Sequence, residues 1–423
     1  MTPNQNLLII GSVWPEPQSS AAGVRMMQLI KFFLSQGLKV TFASAAADSP
    51  YCADLSKLNI TKVNVELNSS DFDIFILQLN PSIVVFDRFM VEEQFGWRVA
   101  EHCPNALRIL DTEDLHCLRR ARHHAFKESK KFNTNDLLTS DVAKREVASI
   151  LRSDISLIIS SYELKLLKDV FKVDESLVYY LPFKTERLEE GHISQKLSFT
   201  ERKNFISIGN FLHEPNCDSV KFLKEEIWPL IRKSLPEAEL HLYGAYPVQK
   251  VTQLHNSREG FLIKGRADNA MTVMEESRVC LAPLRFGAGL KGKLLEAMKC
   301  GTPSVTTTIG AEAMHGTLPW NGAISDDPNQ IARAAVELYT DKILWINAQQ
   351  NGVEIVNNCF CDEDFASTFS TQLSRLQNKL AEHRRSNFTG SMLMHHTMAS
   401  TKFMSRWIEA KNRNALNFSG DTE

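Results

Sequence analysis

What most restricts the fold of this chain is a rhythm. Short runs rich in aliphatic and β-branched residues alternate with longer stretches of helical periodicity, stop at a polar interruption, and start again. The first series is Leu7–Gly11 (LLIIG), Lys39–Ser44 (KVTFAS), Lys62–Leu67, Asp73–Gln78, Ile83–Asp87, Leu107–Asp111 and Asp154–Ser160. Between the first two runs lies a helical stretch from about Gly23 to Gln36. Met26, Met27, Leu29, Ile30, Phe32 and Phe33 form its apolar positions, and Gly37 is placed to end it. Strands joined through helices pair in parallel, and the resulting sheet is covered on both faces.

The interruption, Lys184–Lys203, is polar and has little apolar periodicity, so it reads as a linker. The second series is Phe205–Gly209, Glu239–Gly244, Gly260–Ile263, Val279–Pro283 and Ser304–Thr308, with helices such as Asp218–Ile231 and Gln330–Tyr339 between. The expected architecture is α/β, with two doubly wound domains at 1–190 and 204–378, a linker at 191–203 and a helical tail at 379–423. No residue-level repeat relates the two halves. The chain from about Asp364 to Asn414 is expected to be largely helical, with a charged break near Glu382–Asn387 and a basic, Met-rich end. These helices should pack back across the domains, with 379–423 on the N-terminal one, and a methionine stripe at helical spacing reads as packing surface.

Composition supports this frame. A chain of 423 residues allows two or three domains, and 43% hydrophobic residues suffice for a core in each. Lys+Arg total 48 against 50 Asp+Glu, so the net charge of −2 argues against a nucleic-acid polymer as partner. The eight cysteines include no CxxC pair, and Cys359 and Cys361 lack a second ligand pair nearby. No zinc site is expected, and the thiols read as inert groups in a reducing compartment. The N-terminus lacks the features of a secretory leader, and no run approaches the ~18 apolar residues of a membrane span. The expected location is cytoplasmic, with room for peripheral contact at the inner face of a membrane.

The densest chemical signal is Pro283–Pro303, PLRFGAGLKGKLLEAMKCGTP, which follows a strand run and opens a helix. Gly287, Gly289 and Gly292 permit close backbone approach, and the free amides and dipole of a helix start favour a diphosphate. Lys291 and Lys293 add positive charge. Glu296, in the first turns of the helix, can accept hydrogen bonds from both hydroxyls of a ribose. Other readings compete. Gly287–Gly292 matches the dinucleotide fingerprint GxGxxG, but in a late turn of its domain rather than the first. Gly287–Lys293 matches the front of a P-loop, but Leu294 stands where Ser or Thr would hold magnesium. A turn that simply needs glycines is the plain alternative.

The segment Gly287–Met314 closely resembles the donor-binding region of family 4 retaining glycosyltransferases, which have the GT-B fold of two Rossmann-like domains facing a cleft. Three further segments are similar to that family: Gly209–Asn216 (GNFLHEPN), Asp111–His116 (DTEDLH) and the opening GSVWPEPQSSAAGVRMMQLI. The resemblance extends to about Leu376. It implies an activated nucleotide-sugar donor in the C-terminal half, an acceptor held mainly by the N-terminal half, retention at the anomeric carbon, and no required metal or other cofactor. It also implies that the leaving phosphate can take the acceptor proton, so a carboxylate pair of glycosidase type is not to be expected.

The family's E-x7-E motif places its second glutamate on Glu296, the ribose ligand. Its first falls on Ala288, a departure that leaves the sugar contacts to the amides around Gly289, Leu290 and Lys291. Lys291 and Lys293 are the phosphate ligands, with a solvated helix lysine as the alternative for Lys293. Arg266, after a strand, is placed to bracket the base, or is a plain surface arginine. Asn210 and His213 sit where relatives contact phosphate or sugar, and Gly23 and Arg25 are placed to approach the diphosphate from the other domain. His116 is the leading catalytic histidine, at the carboxyl edge of a sheet where doubly wound folds bind ligands. A core histidine is its alternative, and Asp111 and Asp114 could instead cap the helix that follows.

The basic run Arg119–Lys131 reads as a solvated helix face, or as a contact for an anionic acceptor or a membrane surface. The acceptor class stays open among glycans, lipid-linked and small molecules. The function expected is glycosyl transfer. A non-catalytic binding protein of the same fold, a nucleotide-sugar epimerase and an NAD(P) dehydrogenase remain alternatives. An epimerase would need acid/base carboxylates in the cleft, and none stands out in the sequence.

Overall fold

The computed structural model describes residues 5–419, with side chains to Asn414. The outermost residues of the expected first domain and tail, 1–4 and 420–423, lie outside the described residues. Two wholly parallel sheets organise the chain. The first contains β1 (Asn6–Gly11), β2 (Lys39–Ser44), β3 (Thr61–Asn64), β4 (Ile83–Asp87), β5 (Leu107–Asp111), β6 (Ile155–Ile158) and β7 (Val178–Tyr180), in spatial order β3-β2-β1-β4-β5-β6-β7. The second contains β8 (Lys203–Ile208), β9 (Leu240–Tyr243), β10 (Phe261–Gly265), β11 (Ser277–Ala282), β12 (Ser304–Thr306) and β13 (Gly322–Ile324), in order β10-β9-β8-β11-β12-β13. The strand order reverses between β1 and β4 and between β8 and β11. Each reversal splays the flanking loops apart and leaves a crevice at the carboxyl ends of the strands. This is the GT-B arrangement of two Rossmann-like halves with a C-terminal helical region.

The central strands are buried on both faces, as their unbroken apolar runs require: Leu7, Leu8, Ile9 and Ile10 of β1 are all fully buried. Leu8 and Ile10 join one core cluster while Leu7 and Ile9 join the other, one on each side of the sheet.

Asp73–Gln78 is a correction to the sequence reading. It lies within the helix Asp71–Leu79, which carries the chain from β3 to β4. Phe72 and Ile76, four residues apart, are buried, while Ile74 and Leu77 are exposed. The bulky apolar residues imitate a strand, but the parallel crossover demands a helix and the spacing supplies one. The strand expected at Lys62–Leu67 is shorter, ending at Asn64, and β7 and β13 are three-residue edge strands without a visible sequence signal.

The two halves meet at a double crossing. Beside the outgoing chain, Thr185 N donates to Phe360 O at 3.0 Å and Leu188 N to Asn357 Oδ1 at 2.8 Å, while Asn357 Nδ2 donates back to Leu188 O at 3.0 Å. Lys184 pairs with Asp362 at 2.9 Å. The returning helix Phe365–Asn378 places Phe369, Leu373 and Leu376 in the core of the first sheet.

The charged segment expected to break the tail is itself helical, Leu380–Ser386. Arg384 explains its polarity: the guanidinium donates to both oxygens of buried Asp154 at 2.7 Å. The last helix, Phe388–Ser419, lies on helices Phe89–His102 and Asp141–Arg152 of the N-terminal half. Of its methionines, Met398 is buried whereas Met392 and Met404 are exposed, so the stripe is packing surface only in part.

Candidate functional site

Between the halves lies a cleft of about 640 Å³. It is walled by the loops after β1, β4 and β5 on one side and those after β8, β10 and β11 on the other. His116, Lys291, Lys293, Gly287, Gly289, Leu290, Glu296, Arg266, Asn210, His213 and Gly23 all line it. Arg25 does not, which corrects its expected place near the diphosphate. Its buried guanidinium pairs with Asp111 and donates from Nη1 to Leu181 O at 2.6 Å. Asp111 is therefore a structural anchor. Gly23 borders the cleft, but a Cβ there would fall 2.3 Å from the backbone of Glu16, and its amide is taken by the capping hydroxyl of Ser20.

The glycine-rich loop is built by close approach. Gly289 has φ +63°, and a Cβ on it would meet the Cβ of Asp114 at 2.8 Å. At Gly292 the obstacle would be Ala21, also at 2.8 Å. Lys291 bends back on the loop, donating from Nζ to Gly289 O at 2.7 Å. Lys293 reaches across to Asn216 Oδ1 at 2.7 Å, and Asn216 in turn holds Asn210 O at 2.8 Å. Burial pushes both lysines down to about 8. The helix Gly292–Lys299 starts without a side-chain cap. The amides of Leu290, Gly292 and Lys293 have no protein acceptor among the described residues. Glu296 makes no side-chain hydrogen bond or ion pair among them either, and burial raises its pKa. Free donors, two lysines and an unengaged carboxylate thus border one space.

On the opposite wall, the helix His116–Lys127 is not capped by Asp111 or Asp114. Two buried glutamates from distant helices do this instead. Glu146 accepts from the amides of His116 at 2.9 Å and Cys117 at 2.8 Å, and Glu163 accepts from Leu115 at 3.0 Å. Burial lifts Glu146 to about 7 and Glu163 to about 8.

The His116 ring lies 3.4 Å from Asp114 and edge-on to Phe89. Burial drives it down to about 4, with Arg119 and Arg88 adding to the shift and Asp114 opposing it, so it is a neutral imidazole at neutral pH. Burial works to raise Asp114, but Arg119 and His116 outweigh it and hold the carboxylate below its usual range. His213, the N-cap residue of the helix Glu214–Phe222, is also pushed to about 4 by burial, then by Arg119.

Several cleft residues escaped the sequence reading. Asp87 accepts from Ser12 N at 3.0 Å and Ser12 Oγ at 2.8 Å, and Arg88 reaches the same hydroxyl. Glu113, at φ +62°, is raised well above the carboxylate range by burial, then by Asp111 and Asp87. At the other end of the cleft, Arg266 stacks on Tyr51 at 4.4 Å and donates to Gln18 at 3.0 Å. Tyr246 donates to Glu16 at 2.7 Å beside it. The positive φ values at Arg88, Glu113 and Tyr246 were the backbone features a sequence could not disclose.

The basic run Arg119–Lys131 is corrected in part. Arg119 pairs with Asp114, Arg122 with Glu312 at 2.7 Å, and His123 stacks on Phe286 at 4.2 Å, all turned toward the interior or the other half. Arg120, His124, Lys127, Lys130 and Lys131 are exposed. Among the described residues, no group of three or more His, Cys, Asp and Glu side chains is disposed to hold a metal ion, and no helix is long and apolar enough to cross a membrane.

Comparisons with known proteins agree with this geometry. Residues 202–341 match the family model described as glycosyl transferases group 1. No curated protein matches the chain by sequence. Among solved structures, sucrose-phosphate synthase from Thermosynechococcus elongatus superposes with a TM-score of 0.63 at 16% identity, covering 88% of this chain and 99% of its own. Anabaena HepE in complex with UDP and glucose gives 0.60 at 14% identity, covering 88% and 100%. WaaG, a glycosyltransferase involved in lipopolysaccharide biosynthesis, gives 0.55 at 12% identity, covering 83% and 95%. The C-terminal segment that carries the glycine-rich loop, the two lysines and Glu296 is thus similar to the glycosyl transferases group 1 model, within a chain of GT-B fold.

Proposed function

We propose that the chain is a retaining glycosyltransferase that moves a sugar from a nucleotide-diphosphate sugar to a hydroxyl-bearing acceptor without a resident metal. The observation that carries the reading is the set of groups gathered at one helix start: amides and a carboxylate without a partner among the described residues, beside two buried lysines. Free amides and Lys291 and Lys293 suit a diphosphate, and Glu296 suits a ribose diol one turn further on. The UDP and glucose in the structurally similar HepE support the donor class. In the transfer, the acceptor oxygen bonds to the anomeric carbon as the bond from that carbon to the phosphate oxygen breaks. The electron pair leaves with the nucleoside diphosphate, whose phosphate oxygen takes the acceptor proton. The loop amides and lysines stabilise the charge that develops there. Neutral His116 and Asp114 orient hydroxyls on the opposite wall.

The acceptor is a glycan, a lipid-linked or a small molecule, and the exposed part of the Arg119–Lys131 run is the surface assigned to peripheral membrane contact. Titration of UDP, GDP and ADP in EDTA tests the donor site. One of them should bind, and Glu296→Ala should weaken it at least tenfold; equal binding by the variant removes the assignment. The anomeric configuration of the product, read by NMR, tests retention. Ala288 keeps a non-catalytic donor-binding role as the second reading, and turnover of a panel of nucleotide sugars separates the two.

A further inference from the structure

The glycine-rich loop is not held only by its own half. The two peptide groups that flank Ala288 are each bound by an ionisable side chain from the N-terminal half. Arg122 Nη1 donates to Gly287 O at 2.9 Å, and Glu163 Oε1 accepts from Gly289 N at 2.8 Å. Ala288 itself packs against the core of the first sheet. The position where the resembling family carries a glutamate therefore holds a methyl group facing the N-terminal half, while a carboxyl group arrives from that half instead.

Both grips are built rather than incidental. Glu163 is fully buried, and the same Oε1 takes the amide of Leu115, the residue before His116, so one oxygen spans the loops on the two sides of the cleft. Its other oxygen is buried without a partner among the described residues. Arg122 is nearly fully buried and lies over the rings of Tyr162 and Phe132, with a bidentate pair to Glu312 at 2.8 and 2.7 Å. Glu312 belongs to the same half as the loop, so Arg122 fastens the loop and its support together.

From this geometry we propose that Arg122 and Glu163 are positioning residues of the donor site. They fix the two peptide planes around Ala288 from the acceptor-side half, and so aim the free amides that follow, those of Leu290, Gly292 and Lys293, at the diphosphate. The inference rests on the donor-site reading above. It adds that the site is complete only when the two halves are closed on each other, because part of its scaffold lies across the cleft. Burying an amide without an acceptor is costly, so removing the Glu163 oxygen should make the Gly289 peptide rotate toward another partner.

The test is isothermal titration with whichever of UDP, GDP and ADP binds the wild type, together with donor KM and kcat. Glu163→Leu keeps size but accepts no hydrogen bond, and should weaken binding at least tenfold with a lower kcat. Glu163→Gln keeps an accepting carbonyl and should stay within threefold of wild type. A purely structural role would instead lower the melting temperature of Glu163→Leu while leaving its Kd and kcat/KM within twofold of wild type, and that result overturns the inference. So does a glutamine variant as impaired as the leucine one. If Glu163→Leu does not fold, Arg122→Met decides: tenfold weaker binding supports the inference and unchanged binding overturns it. If the wild type binds none of the three nucleotides, the donor-site reading fails and takes this inference with it. If the wild type binds and the variants bind equally well, only this inference falls.

Discussion

Gly289 and Asp114 meet across the cleft with no room for a side chain between them: a Cβ on the glycine would lie 2.8 Å from that of the aspartate. The same glycine holds a left-handed φ of +63°, so a substitution is penalised twice. Gly289→Ala should cost ~1–2 kcal/mol from the backbone alone. The added overlap pushes the halves apart, and kcat/KM should fall at least tenfold. Steady-state kinetics of the folded variant check this, and an unchanged kcat/KM would mean that the loop and Asp114 do not approach during turnover.

The pH dependence of donor affinity should have one steep limb above about pH 8. Lys291 and Lys293, pushed down to about 8, lose positive charge as pH rises through that value, and Glu163, pushed up to about 8, gains negative charge. All three changes disfavour a diphosphate, so they add in the same direction, and a bound dianion will displace the limb upward by favouring the cationic lysines. Titrations of the binding nucleotide from pH 6.5 to 9.5 read this directly. An affinity that rises with pH would contradict the assignment of these groups.

His116 should leave no mark near pH 6.5. Burial holds it neutral down to about 4, so His116 itself should add no inflection in the imidazole range from about pH 5.5 to 7.5, where Glu146, lifted to about 7 behind it, is the group that titrates. His116→Ala should lower kcat by ~10²-fold, the lower end for losing one preorganised hydrogen-bonding group. It should not change the shape of the profile. An inflection near pH 6.5 in the wild type that vanishes in the variant would show a proton-transferring histidine instead.

The tail is fastened by a buried charge. Arg384 pairs with Asp154, whose carboxylate also accepts from Arg108 N at 2.8 Å. Arg384→Met should destabilise the N-terminal half by ~2–3 kcal/mol, below the usual range for breaking a buried pair because the guanidinium is 26% exposed and Arg108 remains. Burial opposes it, but Arg384 and Arg108 hold Asp154 below its ordinary value. The stabilisation is therefore present above the unfolded carboxylate pKa of ~4 and is lost as pH falls further. The gap between wild type and variant in a urea titration should be full at pH 7 and shrink below pH 4.

The donor wall was legible because its chemistry is local in sequence. Gly287, Gly289, Lys291, Lys293 and Glu296 span ten residues of one strand–helix junction, and the fold brings all five to one cleft. What stayed hidden depends on partners far apart in the chain. Arg25 looked like a cleft cation until Asp111, 86 residues away, and the Leu181 carbonyl claimed it. Glu163 carries no motif, and its meaning comes from Gly289, 126 residues away. Asp73–Gln78 misled for a different reason: six residues hold fewer than two helical turns, too few for composition and period to be told apart.

The paired crossings near Leu188 and Asn357 have a consequence for how this molecule can come apart. Two chain segments, hydrogen-bonded side by side, join the halves, and the last described helix packs on the same half as β1. A single proteolytic cut in either segment leaves the other as a tether, and the helix Phe365–Asn378 keeps its place in the core of the first sheet. Nicked protein should therefore migrate as one particle until it is denatured, with the cleft still assembled.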